Sequence, residues 1–136
     1  MAFTIFTAGL VVIKDKKLLL AHSNNKQAWY LPGGKIDQHE TSTEALVREI
    51  REELNVHLIE DKLVFYSHIT ALAFGEKEGV IMEQDCYFYE LDLVPIPSAE
   101  IGEVKYFNEK DYSIEPKQVP GILKIIERLK AEQLIH

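Results

Sequence analysis

Three glutamates, Glu49, Glu52 and Glu53, stand at i, i+3 and i+4, so a helix would carry all three carboxylates on one face. Like charges at this spacing cost ~0.2–0.5 kcal/mol per pair, and toward a helix C-terminus the macrodipole disfavours anions as well. Helix stability does not ask for this arrangement. A hard divalent cation does, because Mg²⁺ takes carboxylate oxygens together with substrate phosphates. The plain alternative is a solvated charged face, since Arg48 and Arg51 lie among the acids. Pro32-Gly33-Gly34, just upstream, shifts the balance, because a Gly-Gly turn lets backbone groups approach a bound anion closely.

The element that must hold these glutamates has a written start and stop. Thr41 and Glu44 have the spacing of a capping box. Asn55 falls where the helix should end, in the left-handed position that Asn tolerates. On that reading Asn55→Gly is neutral or mildly stabilising, and Asn55→Val is costly. Leu46, Ile50 and Leu54 form the apolar stripe that turns the helix onto a core.

Gly34, five residues, Glu40, seven residues, then Arg48-Glu49-Ile50-x-Glu52-Glu53-x-x-Val56 resembles the signature of the Nudix hydrolases. That signature is Gly-x5-Glu-x7-Arg-Glu-U-x-Glu-Glu-x-Gly-U, with U aliphatic, and Asn55 stands in place of its second Gly. The resemblance implies a compact α/β/α sandwich with a mixed sheet, whose signature helix and preceding loop form one side of a cleft. It implies that Glu49, Glu52, Glu53 and the carbonyl of Gly33 hold Mg²⁺ or Mn²⁺, with Glu53 or Glu49 also acting on the water. Glu40 and Arg48 match an internal pair that fixes loop to helix. Gly34 and Lys35 would meet phosphate, as would His22 or Lys26 in a polar loop that carries a basic residue in many relatives. A further carboxylate outside the signature would come from Glu83, Asp85, Glu100 or Glu103.

The activity so implied is hydrolysis of a phosphoanhydride in a nucleoside diphosphate linked to another group. The Leu31-Pro32-Gly33-Gly34-Lys35-Ile36 loop looks like that of compact, MutT-like members, which points to a nucleoside triphosphate cleaved to monophosphate and pyrophosphate. A nucleotide sugar or dinucleoside polyphosphate is the runner-up. A nucleotide-binding module without turnover and a plain interaction domain are the competing classes. Metal-dependent phosphate release would separate them from an enzyme.

Composition sets the outer bounds. The 136 residues suit one domain with a real core, and 46% hydrophobic against 27% charged is globular. A net charge of −7 reads against a nucleic-acid or anionic-membrane binder. The lone Cys86 excludes an internal disulfide and fits a reducing cytoplasm. No stretch is long enough to span a bilayer, and residues 2–13 lack the basic flank and cleavage site of a secretory signal. The expected product is a cytoplasmic monomer or small oligomer such as a homodimer, acting on a small nucleotide.

Along the chain, residues 3–13 read as a strand buried on both faces in its second half, and residues 18–21 as its hairpin partner. Trp29 reads as core rather than base-stacking. Residues 56–60, 63–71, 80–93 and 103–107 read as further strands, 74–79 as a hairpin-like loop, and 95–98 as a Pro-marked loop. Asn108 opens a turn with helical character, and Ile122, Ile125, Ile126 and Leu129 mark an amphipathic helix over 119–134, with Pro120 in its first turn.

Overall fold

The computed structural model describes residues 3–136. Its elements are β1 (Thr4–Val11), β2 (Ile13–Lys14), β3 (Lys17–Ser23), β4 (Ala28–Tyr30), β5 (Gly33–Lys35), α1 (Ser42–Leu54), a 3-10 turn (Glu60–Lys62), β6 (Val64–Leu72), β7 (Ile81–Phe88), β8 (Ile101–Phe107), α2 (Glu109–Ser113) and α3 (Pro120–Ala131). The alternation of β1 and β3 explains the layering. Ala8, Leu10, Val12, Leu19 and Ala21 pack with Leu46, Ile50 and Leu54 of α1. Their neighbours Val11, Leu18 and Leu20 pack with Ile122, Ile125, Ile126 and Leu129 of α3. Successive side chains on a strand point to opposite faces, so strands buried on both sides take a helix on each. The result is the α/β/α arrangement expected.

The first sheet runs β5-β1-β7-β6 and is mixed, with β1 and β7 parallel and the other pairs antiparallel. A second, antiparallel sheet centres on β3, with β8 along one edge and β2 then β4 along the other. The strand expected over 3–13 is therefore two pieces. At Val12 the chain leaves the first sheet, and the Val12 carbonyl accepts from Leu19 N–H at 2.9 Å in the second.

Three other boundaries differ from the sequence reading. Residues 56–60 form no strand: Val56 and Leu58 are buried in the α1 core, so their alternation reflects packing without pairing. The strand expected over 80–93 ends at Phe88, opposite Val11, because its partner β1 ends there. Gly33–Lys35, read as part of a loop, is an edge strand pairing with residues 7–9. Gly33 sits at φ 140°, and a Cβ there would lie 2.0 Å from the Ala8 carbonyl oxygen, so only glycine closes this pairing.

The α1 helix starts with the capping box of Thr41 and Glu44 and ends on Asn55 at φ 57°, ψ 35°. Residues 96–98 satisfy its last carbonyls: Ile96 N–H donates to Leu54, Ser98 N–H to Glu53 and Ser98 Oγ to Glu52. The Asn55 side chain belongs to the same clasp, its Nδ2 donating to Ile96 O at 2.7 Å and Ser98 Oγ at 3.0 Å.

This clasp overturns the expectation that Asn55→Gly is neutral. Glycine keeps the left-handed backbone and loses both side-chain bonds, so Asn55→Gly should destabilise by about 1 kcal/mol in urea denaturation. Asn55→Val, which also forces a branched Cβ into left-handed geometry, should cost about 1–2 kcal/mol more. A glycine variant as stable as the parent would show that the clasp contributes nothing.

Candidate active site

The joint between β5 and α1 brings the signature residues together. Arg48 grips Glu40 with two parallel bonds, Nε to Oε2 at 2.7 Å and Nη2 to Oε1 at 2.9 Å. The same guanidinium donates to the Lys35 carbonyl at 3.1 Å and to Glu49 Oε1 at 3.0 Å. Such forked, charge-assisted pairing is strong and directional. It holds the Glu40 carboxyl down at about 2 and pushes the Arg48 guanidinium further up from its already high value. Gly34 lies against the Glu49 carboxylate so closely that a Cβ would come within 2.5 Å of its Cδ.

Glu53 is in the opposite situation. Its carboxylate accepts from Gly33 N–H at 3.2 Å, and among the described residues it has no cationic partner. Burial pushes its pKa up to about 8, and Glu49, Glu100 and Glu52 add to the rise. Burial also raises Glu49, against the pull of Arg48. Glu52 is the outermost of the three, with 56% of its side chain exposed and Arg48 Nη1 3.7 Å away. Among the described residues, no three acidic, His or Cys side chains converge as a ready metal cage. The reason is visible: Arg48 draws Glu49 to itself, and Gly33 holds Glu53.

Glu49, Glu53 and Glu100 line a cleft of ≈ 390 Å³ together with Gly33, Gly34 and Lys35. No His or Cys lines it, so its acidic donors are hard carboxylate oxygens, which fits Mg²⁺ or Mn²⁺. Tyr30, Phe74, Leu72 and Met82 supply apolar surface in the same cleft, and Gln84 and Thr7 supply polar groups. Thr7 Oγ1 is buried without a hydrogen-bond partner.

Of the two basic candidates in the β3–β4 region, the structure brings only Lys26 to the cleft. His22 is turned away, because strand alternation sends Ala21 and Ser23 into the cleft and His22 to the other face. There its ring meets Trp29 edge-on at 5.0 Å. Trp29 is core, as expected, and donates to Glu115 at 3.0 Å. Among the four outlying carboxylates the cleft contains Glu100 alone. Glu83 and Asp85 face the opposite side of β7, where His68 holds them at 2.6 and 2.8 Å. Glu103 pairs across from His22.

Sequence reasoning missed Glu76, Tyr30, Phe74 and Gln84. Tyr30 carried a signal, since a strand neighbour of a core Trp29 must face the other way. Glu76 carried none, because its partners Lys26 and Lys35 are distant in the chain.

The profile of the NUDIX domain matches residues 4–129. A putative 8-oxo-dGTP diphosphatase of Bacillus subtilis (strain 168) is 40% identical over 146 residues, covering 93% of this chain and 97% of the relative. An 8-oxo-dGTP diphosphatase of Buchnera aphidicola subsp. Schizaphis graminum (strain Sg) is 26% identical over 119 residues, covering 79% and 85%. Among solved structures, the MutT protein of Methanosarcina mazei Go1 superposes with a TM-score of 0.77 at 19% identity, covering 97% of this chain and 96% of that one. At that identity the likeness speaks to fold alone.

The raised Glu53 has a consequence for the metal-free protein. A carboxyl whose folded pKa lies above its unfolded one supports stability fully below the unfolded value near 4.5, and this support is lost as pH rises toward about 8. In EDTA, Glu53→Gln should therefore stabilise by more than about 1 kcal/mol near pH 9 and by nothing near pH 4. A pH-independent difference in melting temperature would refute the burial of an unpaired acid.

Proposed function

The chain belongs to the Nudix hydrolase family, and from that premise we propose that it is a Mg²⁺- or Mn²⁺-dependent pyrophosphohydrolase. Its substrate in this reading is a nucleoside triphosphate, ordinary or damaged, converted to a monophosphate and pyrophosphate by one domain, residues 1–136. One observation carries the proposal. A single cleft of nucleotide size has an acidic end at Glu49, Glu53 and Glu100, a cationic side at Lys26 and Lys35, and apolar surface beside both. The 8-oxo-dGTP activity in the names of two relatives favours a triphosphate over a nucleotide sugar or dinucleoside polyphosphate.

In this reading Glu49, Glu52, Glu53 and the Gly33 carbonyl hold the ion, with Glu100 beside them. A bound divalent ion would neutralise the diphosphate and acidify a water molecule. Glu53 is the better proton acceptor of the three, since Arg48 occupies Glu49 and Glu52 is exposed. Its carboxylate faces the cleft, and among the described residues the Gly33 N–H is its hydrogen-bond donor. As water adds to a phosphorus of the α–β bridge it gives its proton to Glu53, the bridging P–O bond breaks, and the pyrophosphate or nucleoside monophosphate so released keeps the electron pair. Arg48 and Glu40 act as positioning residues, holding the Gly33–Lys35 strand against α1.

Three measurements test this. Mg²⁺ or Mn²⁺ should raise the melting temperature of the parent, and replacing Glu52 and Glu53 together by Gln should abolish the rise. Glu53→Gln alone should lower turnover by at least ~10²-fold with the fold intact. Product analysis over a nucleotide panel should then find monophosphate and pyrophosphate. Triphosphates left intact while a nucleotide sugar or dinucleoside polyphosphate is split would overturn the substrate and leave the metal site standing.

A further inference from the structure

Both cleft lysines already have an anion. Lys26 Nζ donates to Glu76 Oε2 at 2.8 Å, and Lys35 Nζ to Glu76 Oε1 at 3.4 Å. One carboxylate thus spends one oxygen on each lysine, bridging the β3–β4 loop and β5 across the cleft. Glu76 is drawn below the usual carboxylate range by Lys26, with Lys35 contributing.

The segment that delivers this carboxylate is fastened for the purpose. The Phe74 carbonyl accepts from Tyr30 Oη at 3.0 Å, and the two rings meet at a steep angle 6.5 Å apart. Gly75 has φ +82°, and a Cβ there would come within 2.7 Å of Lys26 Cδ, so the segment seats directly on the lysine stem. Lys26 Nζ also lies 5.7 Å from the Tyr30 ring centroid. Phe74 and Glu76 both line the cleft, so the segment forms part of the wall beside the two lysines.

Resting on the function proposed above, we infer that Glu76 is an internal stand-in for substrate phosphate. A terminal phosphate of a polyphosphate must evict it from Lys26 and Lys35, releasing the 73–79 segment from the cleft. The charge arithmetic supports exchange. Two ammonium groups against one carboxylate leave one positive charge uncompensated, and a phosphate group of charge near −2 balances both. Side-chain exposures of 33% for Lys26 and 23% for Glu76 keep the contact within reach of solvent, so no deeply buried charge is stranded by the exchange. The device also sets specificity. A substrate ending in phosphate can replace the carboxylate, and an uncharged sugar beyond the diphosphate cannot.

The test uses inorganic tripolyphosphate as probe, with EDTA present, so that neither turnover nor metal enters. By calorimetry, Glu76→Gln should bind tripolyphosphate about three- to fivefold more tightly than the parent, the gain open to release of a partly exposed ion pair. Adding Lys26→Ala to that variant should erase the gain. In the parent, which needs no substitution, tripolyphosphate should speed amide exchange across 73–79. Unchanged affinity in Glu76→Gln, or exchange in 73–79 that slows on binding, would overturn the inference. Tight binding with eviction, in a protein that leaves nucleoside triphosphates uncleaved, would uphold it and refute the substrate proposed above.

Discussion

The forked contact of Arg48 with Glu40 is the constraint on which the site is built. The edge strand β5 is only Gly33–Lys35, and it pairs with β1 on one side. Such a short strand does not fix its own position against a helix. Arg48 does so by binding the Lys35 carbonyl, Glu40 beyond the strand and Glu49 on its own helix, with Asp37 also 3.4 Å away. Lysine could not replace it, because one compact ammonium lacks the planar set of donors that spans these acceptors. With β5 so held, Gly33 N–H reaches Glu53 and Gly34 abuts Glu49. The two glycines and the two glutamates fit one another only in this register.

A helix with three acids on one face still forms because the repulsion is small beside what its other face contributes. Like-charged neighbours cost ~0.2–0.5 kcal/mol per pair. Leu46, Ile50 and Leu54 are each 0% exposed, and burying such a side chain contributes roughly 1.5–3 kcal/mol. Several kcal/mol of packing therefore outweigh about one of repulsion. Residues 96–98 add the C-terminal clasp, and the chain continues directly from it to Glu100. The same turn that finishes the helix thus delivers a further carboxylate to the cleft.

That link shows what the sequence could and could not disclose. Thr41, Glu44 and Asn55 encode the limits of α1 by local chemistry, and all three act as read. The burial of the second half of β1 on both faces was legible from its apolar run. Residues 56–60 misled because alternating burial looks alike whether a segment pairs or merely packs. Glu83, Asp85, Glu100 and Glu103 were indistinguishable by type, and only the facing of β7 and the path of the 96–100 turn separate them. His22 and Lys26 differ for the same reason, one residue of strand alternation against a loop position. The bridge from Glu76 to Lys26 and Lys35 joins three segments and has no local pattern at all.

The two ends of the cleft also depend on each other. At the acidic end Glu53 lacks a counter-charge, and at the other Glu76 supplies too little for two lysines. The imbalance at Glu53 is the less screened of the two, since Glu53 is largely buried and the lysines are partly exposed. A cation alone would relieve the first, though it competes with Arg48 for Glu49. A polyphosphate alone would relieve the second while bringing more negative charge toward Glu49 and Glu53. Bound together, each offsets the repulsion that the other meets. In the proposed reading, cation and substrate are therefore expected to bind with positive coupling. The absence of a ready three-carboxylate cage among the described residues then follows from electrostatics, since bringing those oxygens together without the cation's charge would add to the repulsion already raising Glu53.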